Sequence, residues 1–427
     1  MAFLGLLTIV LLLSVVITKK ASPVVALILI PIITGVLAGK GAELPRMIGE
    51  GLISIAPTGV MLVFAILFFG VLLDAGTFKP IISGLLKLAG NDPVKIALAT
   101  AVLAMLVHLD GSGAVTFLVV IPAMAPVYDQ VGMKRLTLAS IVALSAGTMN
   151  ILPWGGPTIR AATALNIPVT ELFHPILLPF SAGLLTVLAI AFWMGKKERA
   201  CASHQLNAKI STEDVENNPL NRPRLFWVNI FLIIIAITAI ILEWAAPQVV
   251  FMAAFALALL LNYPSVDEQK KRVDAHAKEA LLMASILFAA GCFTGILRGS
   301  GMIEAMATTV KDYLPHQLGE QLPIVTGLIS MPASLLFDPD SFYFGILPLL
   351  SSTAEHFGAS GLEVGQAAIM GQMTTGFPVS PLTGSTFLLV GLAGVELGDH
   401  QKKTIPLAFL VTLVILFVSV VMGIISV

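Results

Sequence analysis

The sequence predicts an all-α polytopic membrane protein of two inverted repeats, each with about five transmembrane helices, a re-entrant hairpin and a broken helix. Three observations carry that prediction. The 427 residues are 57% hydrophobic and 11% charged, a balance suited to lipid rather than water. Many apolar runs approach the roughly 20 residues that a helix needs to cross the hydrocarbon core. Two distant stretches also repeat one device, an acidic break between apolar arms followed by a Pro/Gly-rich break in the next apolar segment. The first reads Leu109-Asp110-Gly111-Ser112-Gly113 and then Asn150-Ile151-Leu152-Pro153-Trp154-Gly155-Gly156-Pro157-Thr158. The second reads Phe337-Asp338-Pro339-Asp340-Ser341 and then Gly376-Phe377-Pro378-Val379-Ser380-Pro381-Leu382-Thr383-Gly384. Helix breaks at matching places in two halves point to the binding site of a secondary transporter.

Hydropathy places spans at 3–18, 23–39, 52–74, 137–165, 175–194, 225–243, 247–262, 280–298, 363–395 and 404–425. The first, from Phe3 to Thr18, has no basic residue before it and no cleavage site, so it reads as a retained span. The stretches 94–130 and 320–357 are each interrupted by an acidic motif with glycine or proline. They read as re-entrant hairpins, whose irregular tips are tolerated at membrane depth only against protein or water.

Charge supports the crossing order, because lysine and arginine concentrate in cytoplasmic loops. With the segment 195–224 inside, basic residues 19, 20, 79, 87, 95, 134, 135, 196, 197, 199, 209, 222, 224, 270, 271, 272, 278, 402 and 403 all fall inside. Lys40, Arg46, Arg298 and Lys311 fall outside, and Arg160 lies within a span. An odd number of crossings per half inverts the second repeat, so the two hairpins enter from opposite faces. Weak similarity follows the same register: Phe64-Ala65-Ile66-Leu67-Phe68 resembles Ser285-Ile286-Leu287-Phe288-Ala289, and Ile121-Pro122 resembles Leu347-Pro348. The expected organisation is a first repeat at 1–194, a solvated cytoplasmic linker at 195–224 with the core Glu213-Asp214-Val215-Glu216-Asn217-Asn218-Pro219, and a second repeat at 225–427.

The chemistry concentrates at the breaks. Asp110, Asp338 and Asp340 sit at hairpin tips, where a carboxylate costs about 2.5–3.5 kcal/mol on insertion scales and so serves a substrate, ion or proton pathway. A helix cap is the competing role, and a cap can also aim a buried helix end at a ligand. Arg160 follows the first Pro/Gly break and can grip a carboxylate through two parallel hydrogen bonds; a structural ion pair with an aspartate is the alternative. Gly111, Gly113, Gly155, Gly156, Pro157 and Gly384 expose backbone amides and carbonyls to a cavity, the amides favouring anions. Ser112, Thr158, Ser341, Ser380, Thr383, Ser385 and Thr386 add hydroxyls and Asn150 an amide, although each hydroxyl could equally bond its own backbone. His108 titrates in the physiological range when free, but a hairpin-arm histidine is more often structural. Asp74, His174, Glu243 and Glu396 mark span ends. Cys201 and Cys292 fit no metal or redox spacing.

At these motifs the chain resembles the citrate–metal:proton symporter family of the ion transporter superfamily. The resemblance rests on Leu109-Asp110-Gly111, on Met149 through Thr158 with Arg160, on Asp338-Pro339-Asp340-Ser341-Phe342-Tyr343-Phe344-Gly345, and on Ser380-Pro381-Leu382-Thr383 leading to Leu388-Leu389-Val390-Gly391-Leu392-Ala393-Gly394-Val395. Superfamily members with Ser-Asn-Thr tips bind carboxylate and sodium there; Asp-Gly-Ser and Asp-Pro-Asp in this chain favour a metal-complexed or proton-coupled substrate. The resemblance implies import, at the cell (inner) membrane, of citrate bound to a divalent cation of the Mg2+ or Ca2+ class, with protons. It also implies a homodimer with an elevator-like mobile unit. Arg160 and helix N-termini would face the carboxylates, and Asp110 and Asp338 the cation.

The alternatives are a proton-coupled symporter of gluconate or another di- or tricarboxylate and, from a different class, a cation:proton antiporter. The latter would need acidic tips but not Arg160. An enzyme is not expected, since no H-E-x-x-H pair or G-x-S-x-G turn is present. The net charge of -1 gives no sign of nucleic-acid binding, and no tightly bound cofactor is expected.

Overall fold

The computed structural model describes residues 1–18, 20–201 and 219–426, and their regular structure is helical, without strands. The first half runs α1 (Ala2–Ile17), α2 (Pro23–Leu37), α3 (Leu44–Asp74) and the short α4 (Lys79–Ala89). A hairpin of α5 (Pro93–Val107) and α6 (Gly113–Val131) follows. Next come the broken helix α7 (Arg135–Met149) and α8 (Gly156–Leu165), the short α9 (Val169–Phe173) and α10 (Leu177–Cys201). The second half runs α11 (Phe226–Ile241), α12 (Pro247–Asn262), α13 (Val266–Gly299), α14 (Met302–Tyr313) and α15 (His316–Glu320). A hairpin of α16 (Leu322–Ala333) and α17 (Leu347–His356) leads to the broken pair α18 (Gly361–Ile369) and α19 (Gly384–Ala393), and α20 (Leu397–Val421) closes the chain.

Local chemistry explains the boundaries. Ser22, Asp92, Ser112 and Ser360 cap α2, α5, α6 and α18 by accepting from backbone amides two or three residues on, which satisfies donors that a helix start leaves free. Gly132 ends α6 and Gly394 ends α19 in the left-handed region, at φ 76° and 66°. Arg199 of α10 also binds Asp92, both oxygens at 2.5 Å. Partial burial pushes the Asp92 carboxyl up, but Arg199 and the Val94 amide outweigh it and hold the group below its usual range. This contact is therefore present at neutral pH and is lost as the pH falls through the lowered value.

Each expected span coincides with helical structure, with differences that have physical causes. Among the described residues seven helices are long and apolar enough to cross a membrane by length and composition; five match expected spans, the other two, Pro93–Asp110 and Gly113–Val131, are the arms of the first hairpin, expected as re-entrant, and six shorter apolar helices accompany them. α13 begins at Val266, well before the expected 280, because a polar first portion with Asp267 and Glu268 in its first turn continues the same helix. The amphipathic α4 and α14 fall outside the hydropathy expectation, since a one-sided apolar stripe is averaged away in a hydropathy window. α10 continues to Cys201, into the segment expected as linker, whose core from Glu213 to Asn218 lies outside the described residues, as do Lys19 and Lys209.

α3 and α13, of 31 and 34 residues, are the longest helices and pack along each other. α12 lies against α3, and α2 against α13. The crossing is set by glycine: a Cβ on Gly51 would lie 2.1 Å from the Gly291 carbonyl oxygen, and one on Gly295 would lie 2.4 Å from that of Met47. Gly291 and Gly295 are spaced as in the small-residue motif that lets membrane helices approach closely. At the end of α3, Asp74 joins Arg272 at 2.9 Å and His276 at 3.0 Å, both on α13. Gly295→Leu is expected to separate the pair and lower the melting temperature in detergent by several degrees. Leu281→Ala, on the exposed side of α13, is the control and should change it little.

Candidate functional site

The first hairpin turns through a short 3-10 segment, His108–Asp110, and Gly111, at φ 75°, reverses the chain. A side chain at Gly111 would be strained in that region. Asp110 accepts from the Ser112 amide at 2.8 Å through Oδ1, which shapes the tip and leaves Oδ2 directed to its surroundings. His108 is fully buried and satisfied at both ring nitrogens, with Thr116 at 2.8 Å and Asn150 at 3.3 Å. It is a structural histidine that ties the hairpin to the first break.

The two breaks meet. Asn150 donates to the Met373 carbonyl at 3.0 Å across the halves of the chain. Trp154 donates from Nε1 to the Leu109 carbonyl at 2.7 Å, pinning the first break to the first tip. Phe117 of α6 stacks on Phe377 of the second break, centroids 6.2 Å apart and planes at 18°. Gly113 makes this possible, because a Cβ there would lie 2.4 Å from the Phe377 ring. Removing one such anchor has a defined cost: Trp154→Phe keeps an aromatic ring but orphans the Leu109 carbonyl, and unfolding stability is expected to fall by about 1–3 kcal/mol.

The second hairpin supplies a different chemistry. Asp338 is a cap, accepting from the amides of Asp340 and Ser341 at 3.1 Å each and from the Ser341 hydroxyl at 2.5 Å. Asp340 instead binds Arg160, Nε to Oδ1 at 2.7 Å, with both side chains largely buried. Arg160 Nη1 also donates to the Gly156 carbonyl at 3.2 Å. One π-helical turn, Ser341–Ile346, carries the chain from this tip into α17; such turns often occur at functional sites. Tyr343 within it donates to the Gln372 carbonyl at 2.7 Å, securing the tip to the second break.

These elements surround a cavity of about 270 Å³. Of the residues singled out in the sequence, Asp110, Gly111, Ser112, Gly113, Asn150, Gly156, Pro157, Arg160, Thr383 and Ser385 line it. The others serve the wall from behind. Gly155 packs where a Cβ would lie 2.1 Å from the Asn150 carbonyl oxygen. Thr158 donates to the Ile151 carbonyl, Ser380 to that of Ser334, and Thr386 to that of Phe377. Gly384 opens α19, while Ser341 is engaged with Asp338.

Sequence reasoning missed the far wall, formed by Leu62, Ala65 and Ile66 of α3 and by Glu279 and Met283 of α13. Glu279 lies one residue outside the expected span at 280–298, where a carboxylate reads as an interfacial charge. Hydropathy marked both helices only as spans, and the internal similarity between residues 64–68 and 285–289 was the further signal that paired them. A larger cavity of about 720 Å³ lies between α3, the α8–α9 turn and the α11–α12 turn, but it contains none of the break residues. The smaller one is the better candidate because two carboxylates, a guanidinium and helix ends converge on it.

Two broken helices, two hairpins and a mixed-charge cavity between them define a multi-pass membrane transporter rather than an enzyme. Residues 2–376 match the citrate transporter family, CitMHS, and the chain belongs to that family. It is 43% identical over 426 residues to a citrate transporter of Bacillus subtilis, covering 100% of both chains. It is 38% identical over 433 residues to the Mg(2+)/citrate complex secondary transporter of the same organism, covering 100% of this chain and 99% of that one. Among solved structures, the YdaH transporter of Alcanivorax borkumensis aligns with TM-score 0.60 at 15% identity, covering 90% of this chain and 88% of that one. MtrF of Neisseria gonorrhoeae aligns with TM-score 0.59 at 13% identity, covering 90% and 85%. Those two likenesses concern the fold alone. Family and helix content make the protein a multi-pass membrane protein.

Proposed function

We propose that this transporter imports citrate as a complex with a divalent cation, in symport with protons. The observation that carries the reading is the convergence of Asp110, Glu279 and Arg160 on one cavity where the two helix breaks meet. A fully ionised citrate carries three negative charges, and a bound divalent cation leaves one. Such a ligand has a carboxylate face for Arg160, Asn150, the hydroxyls of Thr383 and Ser385 and the start of α8, and a cation face for the oxygens of Asp110 and Glu279. Among the described residues no group of three or more His, Cys, Asp or Glu could hold a metal ion unaided. This suits a cation that arrives as cargo, with most of its hard oxygen ligands supplied by citrate. Co-transport of two or more protons would make the step carry net positive charge inward, worth about 2.3 kcal/mol per charge for each 100 mV.

Within this reading Asp110 is the tip carboxylate that meets the cation, Asp338 shapes its own tip, and Asp340 holds Arg160 in place for the anion. The chain is organised as inverted repeats at 1–194 and 225–427, joined by a cytoplasmic segment at 195–224. The hairpins and broken helices form a unit that slides against α3 and α13 in a homodimer. Uptake of radiolabelled citrate into proteoliposomes, with and without magnesium or calcium, tests the reading. Citrate uptake that persists unchanged after chelation of divalent cations overturns it in favour of a symporter of the free anion. Glu279→Gln is expected to reduce metal-stimulated uptake several-fold with an unchanged melting temperature, because it keeps the shape but not the charge of the far wall.

A further inference from the structure

We propose that a groove between α7, α10 and α20, whose lining shares no residue with the substrate cavity, binds the phosphate headgroup of an anionic membrane lipid. The groove encloses about 460 Å³ and is lined by Lys134, Lys197, Lys403, Glu198, Trp193 and an apolar wall that includes Leu407. Its charges are arranged unequally. Glu198 is buried and turned inward, accepting from the Thr137 hydroxyl at 2.5 Å and the Lys134 amide at 3.2 Å. The Lys403 ammonium donates to the Thr137 hydroxyl at 2.8 Å, and Lys134, Lys197 and Glu198 all act on it through space. Lys197 rests its ammonium 3.7 Å from the centre of the Trp193 ring, and the lysine and the indole are both exposed. None of the three lysines has an ion-pair partner within 4.0 Å among the described residues.

Three lysines around one fixed carboxylate leave an excess of positive charge on the side of the molecule where basic residues concentrate. Basic pockets between helices on that side suit acidic lipid headgroups. Trp193 and the apolar wall argue for a lipid over a free anion, since an indole at the interface has one apolar side and one wet side. The occupant would touch a sensitive place. In the same turns of α20 as Lys403, His400 bonds the Pro378 carbonyl at 3.0 Å and Gln401 that of Val379 at 2.9 Å, so the groove adjoins the second helix break.

The test uses the full-length protein in detergent, with melting temperature and native mass spectrometry as readouts for added phosphatidylglycerol, phosphatidylcholine or inorganic phosphate. Phosphatidylglycerol should raise the melting temperature by several degrees and remain bound, with the other two inactive. Lys197→Gln/Lys403→Gln should weaken that response roughly tenfold in lipid concentration. Lys197→Gln alone changes an exposed side chain, so a smaller weakening is expected even if the double variant folds poorly. Equal protection by phosphatidylcholine, equal protection by inorganic phosphate, or an unaltered phosphatidylglycerol response in both variants overturns the proposal.

Discussion

Replacing Arg160 by alanine is expected to reduce citrate uptake at least about a hundredfold, the largest single effect in the molecule. Two losses combine. In the proposed site the ligand loses the guanidinium assigned to its carboxylates, and Asp340 is left as a buried charge without its partner at 2.7 Å. Breaking such a pair from one side costs about 3–5 kcal/mol, which could by itself unfold the second tip. The double variant Arg160→Ala/Asp340→Asn separates the two effects, because it removes the orphaned charge. It is expected to recover most of the melting temperature and none of the uptake. If the double variant transports like the parent, Arg160 is a structural ion pair and its role with the substrate falls. Arg160→Lys should also transport poorly, since an ammonium cannot bond Asp340 and a carboxylate through a planar fork.

Asp110→Asn is expected to have the next largest effect, reducing uptake of the metal complex about ten- to hundredfold. The substitution is close to isosteric, and an asparagine oxygen can still accept from the Ser112 amide as Asp110 does at 2.8 Å. The tip should therefore keep its shape while losing the charge that meets the cation. A hydrogen bond to a charged group is worth about 1.5–3 kcal/mol, which sets the expected range. The check is the citrate uptake rate against magnesium concentration, with melting temperature as the folding control. Unchanged metal dependence in a stable Asp110→Asn protein would remove Asp110 from the cation site.

Much of this candidate site was legible in the sequence because its devices are local. Asp110-Gly111, Asn150 to Pro157 and Asp338 to Ser341 announce broken helices through residue types that cannot continue one, and the structure puts a break at each. What local reading could not decide was the role of each carboxylate. Asp338 and Asp340 are two residues apart, yet one is engaged by backbone amides and the other by an arginine from the opposite half. That division depends on which tip meets which break, a tertiary fact. Glu279 was missed for a related reason. It lies on an unbroken helix with no local peculiarity, and only the packing of α13 along α3 brings it to the cavity that Asp110 lines. The amphipathic α4 and α14 escaped because hydropathy averaging records total apolarity rather than its direction.

Cation and citrate are expected to cross together through this cavity. Dual-label uptake in proteoliposomes, with radioactive citrate and a radioactive divalent cation measured in the same vesicles, tests this co-transport most directly. The expected result is a fixed one-to-one flux of cation and citrate that collapses in step for Arg160→Ala/Asp340→Asn. Citrate entering without the cation, or a flux ratio that drifts with external cation concentration, would refute it.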